Sequence, residues 1–304
     1  MDQPQKYDKP WKSYAHQLAD LEEKGLLGSS LYEEQIRRIG YYRLSGYWYI
    51  FREPGPEKTR LDRFRPNAKF SDVLDLYEFD AALRSAVFSA VSRLEVAFRV
   101  EVGHVLGERA TFGHLEAEEL DPIKVGKEFP KFLSKYHEVQ SRSREDFVDH
   151  FRDKYLGVLP IWVATEILQF GQLVDLYRLC KYDDRKRIAE AFGPLQADEF
   201  SSWLGSLNYV RNICAHHGRF WNRAMVVSPK IPENSRYPEL AGVEGAAKKT
   251  YGVLATIACL LKECGYESER NQIKEALKSF PNSEYANLQM LGAPKAWEKD
   301  LFWN

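Results

Sequence analysis

From Ser71 onward, apolar side chains recur at Val73, Leu76, Leu83, Val87, Val91, Leu94, Phe98, Val102 and Val105, and no proline interrupts the run before Pro122. Spacings of three, four and seven keep returning to one side of a helix, whose residues turn by roughly 100° each. The stretch predicts one long amphipathic helix with a stripe that must be buried against other helices. No segment elsewhere sustains the alternation of a half-buried strand, no repeat is visible, and no glycine-rich loop of the P-loop or Rossmann type occurs. The fold class is therefore expected to be all-α.

The flanking sequence supplies the partners. Tyr14, Leu18 and Leu21 predict a helix within residues 11–24 that stops at Lys24-Gly25. Ser30 is expected to cap a second helix, with Glu33 as its capping-box partner, running to Ile39 before Gly40. Tyr41, Tyr42, Tyr47, Trp48, Tyr49 and Phe51 then crowd into one span. They suit either a stacking platform for RNA bases or, the favoured reading, a small core joining the N-terminal helices to the body. Residues 53–69 carry Pro54, Gly55, Pro56 and Pro66 among Lys58, Arg60, Arg63, Arg65 and Lys69, and read as a basic linker.

Further on, helices are predicted over residues 123–139 and 146–154. Another starts at Leu159-Pro160, is interrupted at Gly171 and ends near Cys180. Glu166 is the one acid in that helix's apolar run, so it is expected at the surface or paired with an arginine. A short helix follows over 184–192. The next begins after Gln196 and buries Phe200, Trp203, Leu204, Leu207 and Val210. Ser228-Pro229 and Ile231-Pro232 mark a break before helices over 248–262 and from Glu267 to about Ser279, and the terminal aromatics are expected to fold back on the body. The division expected is an N-terminal helical unit (1–52), the basic linker (53–69), a helical core (70–225) and a C-terminal helical extension packed on that core (226–304).

A chain of 304 residues, 44% hydrophobic and 29% charged, is long and apolar enough to bury a sizeable interior. Its net charge of −1 means that any nucleic-acid site must be a local basic patch. Cys180, Cys214, Cys259 and Cys264 form no CxxC pair and no Cys/His spacing that builds a zinc site, so free thiols in a reducing cytoplasm are expected. The polar start, Met1 to Trp11, has no signal pattern, and no apolar run approaches the roughly 20 residues of a membrane helix. A cytoplasmic location, without membrane contact, is expected.

Chemistry concentrates at Arg211-Asn212-Ile213-Cys214-Ala215-His216-His217, continuing through Gly218-Arg219-Phe220-Trp221-Asn222-Arg223. Arginine holds and neutralises phosphate through its fork of donors, and histidine moves protons near neutral pH, a pairing that suits phosphodiester cleavage. On an uninterrupted helix His216 lies about 140° round from Arg211, so the two do not point the same way. Either the helix ends near Cys214 and His216 swings back, or groups from two chains converge. The plain alternative for Arg211 and His216 is a helix C-terminal cap, where cations are favoured. His216 and His217 do not suit a metal ion, being adjacent and without a nearby carboxylate.

Arg211-Asn-x-x-x-His216 is similar to the R-x4-H motif of HEPN ribonucleases, and its longer form resembles the version in the abortive-infection (Abi) family of the Abi-D/Abi-F type. Tyr41–Trp48, Leu76–Arg84 and Leu159–Gly171 resemble further segments of that family in the same order, so the likeness runs from about Lys9 to Trp303. The resemblance implies a HEPN-like helical bundle with a small N-terminal extension. It also implies phage defence by metal-independent RNA cleavage, and a homodimer with a composite site. Arg211, Asn212 and His216 would be catalytic, supported by His217, Glu95, Arg99 and Asn222. No cofactor is implied, and the partner is RNA as substrate, or a bound non-coding RNA. The rival expectation is a non-catalytic RNA-binding or regulatory module.

Other candidates stay open. Glu95 and Arg99, at i,i+4, form either an exposed ion pair worth about 0.3–0.5 kcal/mol or, by resemblance, a border of the catalytic groove. Arg84 stands beside the same apolar stripe and is a candidate RNA contact. Lys124, Lys127, Lys131 and Lys135, extended by Arg142 and Arg144, make a cationic stripe that tracks a phosphate backbone or is an ordinary solvated face.

Overall fold

The computed structural model describes residues 10–232 and 236–304; the polar start (1–9), residues 233–235 and the Lys58 side chain lie outside the described residues. Twelve α-helices and one two-stranded sheet are found among the described residues, and the fold is all-α. The chain divides into two compact units, Met1–Ala82 with Ser279–Asn287, and Leu83–Lys278 with Leu288–Asn304. No helix among the described residues is long and apolar enough to cross a membrane.

In the first unit, α1 (Tyr14–Glu23) starts at Ser13, whose hydroxyl accepts from the His16 N–H, and stops where Gly25 turns to φ +94°. The helix α2 (Glu33–Ile39) is not capped by Ser30, which sits in a preceding 3-10 turn with Tyr32 at the cap position. The Glu22 carboxylate accepts from the Gly28 and Ser30 N–H groups instead, at 3.0 and 3.2 Å. A carboxylate from the previous helix satisfies these amides, which local spacing does not reveal. The helix α3 (Tyr41–Trp48) buries Tyr47 and Trp48, and Ile50 and Phe51 follow them inside, while Tyr42 is 90% exposed. Half of the aromatic cluster, Tyr47, Trp48 and Phe51, is thus core, while Tyr42 and Tyr49 are exposed, and the Tyr47 hydroxyl donates to buried Asp80 at 2.6 Å.

Within 53–69, where the sequence reads as a linker without strands, β1 (Arg52–Pro54) and β2 (Arg60–Phe64) pair antiparallel. The ribbon is too short to show a period, and of β2 only Phe64 is buried. The three arginines of 53–69 find partners: Arg63 faces Glu53 at 3.2 Å, Arg60 donates to the Arg52 carbonyl at 3.1 Å, and Arg65 lies over the Tyr285 ring at 5.0 Å.

The helix α4 (Phe70–Arg109) contributes its start to the first unit and the remainder to the second. All nine residues of the apolar stripe are buried, as the periodicity requires. In the second unit, α5 (Pro122–Arg142), α6 (Asp146–Lys154), α7 (Ile161–Ile167), α8 (Phe170–Leu179), α9 (Tyr182–Glu190) and α10 (Ala197–Ala215) follow. The break between α7 and α8 falls at Leu168-Gln169 rather than Gly171, because Gln169 and Gln172 form a capping box. Glu166 is at the surface. Phe98 of α4 packs edge-on against Phe170 and Tyr177 of α8, Phe192, and Phe200 of α10, with ring centres 5.7–6.3 Å apart. That aromatic centre fixes α10 against α4.

The helices α11 (Thr250–Glu263) and α12 (Glu267–Lys278) complete the unit. Trp297, Phe302 and Trp303 fold back and are buried, with the Trp303 indole donating to the Tyr251 hydroxyl at 3.2 Å. All four cysteines are free thiols, and burial pushes Cys180 up to about 12, which leaves it unreactive.

Candidate active site

The helix carrying Arg211 begins where Gln196 and Glu199 close a capping box, and Glu199 is held by the Arg236 guanidinium at 2.6 and 2.7 Å. Phe200, Trp203, Leu204, Leu207, Val210, Ile213 and Cys214 face inward. With that face buried, Asn212 is left exposed and Arg211 half-buried. The helix ends at Ala215, and His216 is its C-cap residue. The His217 N–H donates to Cys214 O at 3.1 Å and the Gly218 N–H to Ile213 O at 2.8 Å, the bond pattern of a Schellman turn. His217 therefore occupies the left-handed position, at φ +55°, where glycine is usual.

Both imidazoles are exposed. The early helix end realises the first of the two geometries open from the sequence only in part. His216 lies just past the last helical residue, at φ −92° and ψ 14°, and the groups beside the Arg211 guanidinium are Glu95, Asn212 and Phe88.

Arg211 is surrounded by three groups. Its Nε lies 3.9 Å from the Glu95 carboxylate, its Nη1 is 3.5 Å from Asn212 Oδ1, and its guanidinium carbon stands 5.8 Å from the Phe88 ring centre. Glu95 and Phe88 come from α4. An arginine held between a carboxylate and an aromatic face keeps its charge near the surface with restricted rotamers.

Glu95 also bonds Arg99 at 3.2 Å, and both side chains are only 13–14% exposed, so the solvated ion pair is not what forms. Arg99 donates to the carbonyls of Thr165 and Leu168 at 2.9 and 3.2 Å, closing the C-terminal end of α7. Glu95 thus lies against the motif, whereas the Arg99 donors are engaged by backbone carbonyls and by Glu95 itself.

Arg84, a candidate RNA contact by sequence, is 6% exposed. The α4 stripe carries it inward beside Leu83 and Val87. Lys124 lies 3.8 Å from Asp121 and Lys135 3.3 Å from Asp175, while Lys127 and Lys131 are exposed. These lysines belong to α5, and α8 packs against both α5 and α10. Asn222 is half-buried at φ +45° and follows the wholly buried pair Phe220 and Trp221.

Two residues near the motif escape a reading by spacing alone. Phe88 reaches Arg211 only through helix packing. Tyr209, seven residues before His216, is tied to the motif through its contact with Arg223, 3.3 Å from the hydroxyl.

Among the described residues, no group of three or more histidine, cysteine, aspartate or glutamate side chains is placed to hold a metal ion. The sequence profile of a family described as Abi-like protein matches residues 34–222, a narrower span than the resemblance suggested. No curated protein and no solved structure matches the chain.

Proposed function

We propose, from the premise that the chain belongs to the Abi-like family, that it is a HEPN-type endoribonuclease acting in abortive infection. The observation that carries this reading is the end of α10, where Asn212 and His216 are exposed and Arg211 is half-buried with Glu95 and Phe88 beside its guanidinium. RNA brings its own nucleophile. His216 takes the proton of a 2′-hydroxyl; the 2′-oxygen bonds to phosphorus as the bond from phosphorus to the 5′-oxygen breaks, and the imidazolium so formed returns a proton to that oxygen. Arg211 balances the charge that builds on the phosphate oxygens, and Asn212 orients substrate or imidazole. The products are a 2′,3′-cyclic phosphate and a 5′-hydroxyl, without a metal ion as reactant.

The site is completed by a second copy of the chain. On an uninterrupted helix, Arg211 and His216 diverge by about 140°. Beside Arg211, α4 exposes Phe88 at 38%, and farther along the same helix Val96 and Val100, one turn apart, at 54% and 60%. Pairing across these residues covers apolar surface and brings two motifs together. In the cell, such an enzyme is held inactive until infection and then cuts RNA so that the host stops growing.

The test is cleavage of single-stranded RNA by purified protein in EDTA. His216→Ala is expected to lower the rate at least 100-fold, in the range of a lost proton-transfer group, with melting temperature and RNA binding unchanged. Equal RNA decay in wild type and variant would leave at most a binding module.

A further inference from the structure

The turn that carries His216 and His217 leaves α10 and must be held in place by something other than helix bonds. Phe220 and Trp221 anchor its far end, both wholly buried, and the Thr250 hydroxyl donates to the Phe220 carbonyl at 2.9 Å. Just past these anchors, the Arg223 side chain reaches back. Arg223 Nη1 donates to the Arg219 carbonyl at 3.2 Å, and Arg223 Nε donates to the Tyr209 hydroxyl at 3.3 Å. Its guanidinium carbon lies 5.9 Å from the Tyr209 ring centre.

We infer that Arg223 is a positioning residue: it ties the turn bearing His216 to the α10 face from which His216 projects. Tyr209 and His216 are seven residues apart, so they share that face with about two turns, roughly 10 Å, between them. Arg219 follows His216 by three residues. One planar guanidinium therefore spans the helix on one side and the turn on the other. Two fixed bonds from a rigid fork determine orientation as well as distance, which a single flexible ammonium does not. The same turn includes two residues in left-handed backbone, His217 at φ +55° and Asn222 at φ +45°. Such conformations persist when their surroundings over-determine them, and the Arg219 carbonyl that Arg223 holds lies between the two in sequence.

The alternative role for Arg223 is that of a substrate cation, gripping a phosphate directly. The two roles separate kinetically. A lost positioning group lowers turnover by misplacing His216, whereas a lost gripping cation weakens substrate binding. This inference rests on the nuclease reading for its kinetic arm only.

The experiment uses full-length Arg223→Met, Arg223→Lys and Tyr209→Phe. For Arg223→Met, kcat on single-stranded RNA is expected to fall at least tenfold while KM stays within about threefold. Arg223→Lys should recover only part of the loss, since it keeps the charge without the fork. Tyr209→Phe should change kcat in the same direction but less, because the ring contact remains. In parallel, backbone amides of Gly218–Asn222 should exchange hydrogen at least tenfold faster in Arg223→Met, and the His216 ring resonances should shift.

A raised KM with kcat intact would assign Arg223 to substrate binding and overturn the inference. Unchanged amide exchange and unchanged His216 resonances would overturn it whatever the RNA result. If wild-type protein does not cleave RNA, the nuclease reading fails and the exchange and resonance measurements alone decide. Should Arg223→Met melt below the assay temperature, Arg223→Lys and Tyr209→Phe carry the same readings.

Discussion

His217 holds the one position at the end of α10 where a side chain works against the backbone. A non-glycine residue in left-handed conformation costs of the order of 1 kcal/mol, and the helix still terminates there because two amide bonds require it. His217→Gly is expected to raise stability by about 0.5–1 kcal/mol, and His217→Val to lower it by more than that, since β-branching disfavours positive φ. Urea midpoints at constant slope measure both. A gain on going to glycine would indicate that a histidine is kept beside His216 at a cost to the fold. Next to it, the pairing of Arg211 with Glu95 could not be read from sequence: residues 95 and 211 meet only because α4 and α10 pack on Phe98.

The packing of α5 makes stability depend on pH. The turn Gly113–Leu115 places His114 wholly inside, edge-on to Tyr136 of α5 with ring centres 5.3 Å apart. Burial, and then the neighbouring His137, push His114 down to about 4 from its usual 6.5. The unfolded chain therefore binds a proton that the folded chain refuses between these values. The stabilisation is complete above about pH 6.5 and is lost as pH falls toward 4, by about 3 kcal/mol in total. His114→Phe is expected to flatten this slope, as checked by urea midpoints between pH 7.5 and 4.5. The joint of α4, α8 and α10 depends on Phe98 in turn. Phe98→Ala should cost about 3–5 kcal/mol through lost burial and the cavity left behind, measurable by the same method.

For the whole molecule, the proposal of a site shared by two chains gives a mixing experiment. Arg211→Ala and His216→Ala should each be inactive alone, yet combining and re-annealing them should restore cleavage to about a quarter of wild type, as half the dimers are mixed and hold one intact site each. No recovery on mixing would confine the chemistry to single chains. Much of the architecture was legible in the sequence for a physical reason: a helix writes its buried face into spacings of three and four, and the nine stripe residues of α4 are all inside. The same locality made Arg211, Asn212 and His216 conspicuous, being neighbours in the chain and therefore neighbours at the end of α10. What spacing could not decide depends on groups far apart in sequence: Glu22 serving the Ser30 amide, Arg65 stacking on Tyr285, Arg84 turning inward, and Arg99 closing α7. A charged side chain takes its meaning from its partner, and only tertiary packing chooses the partner.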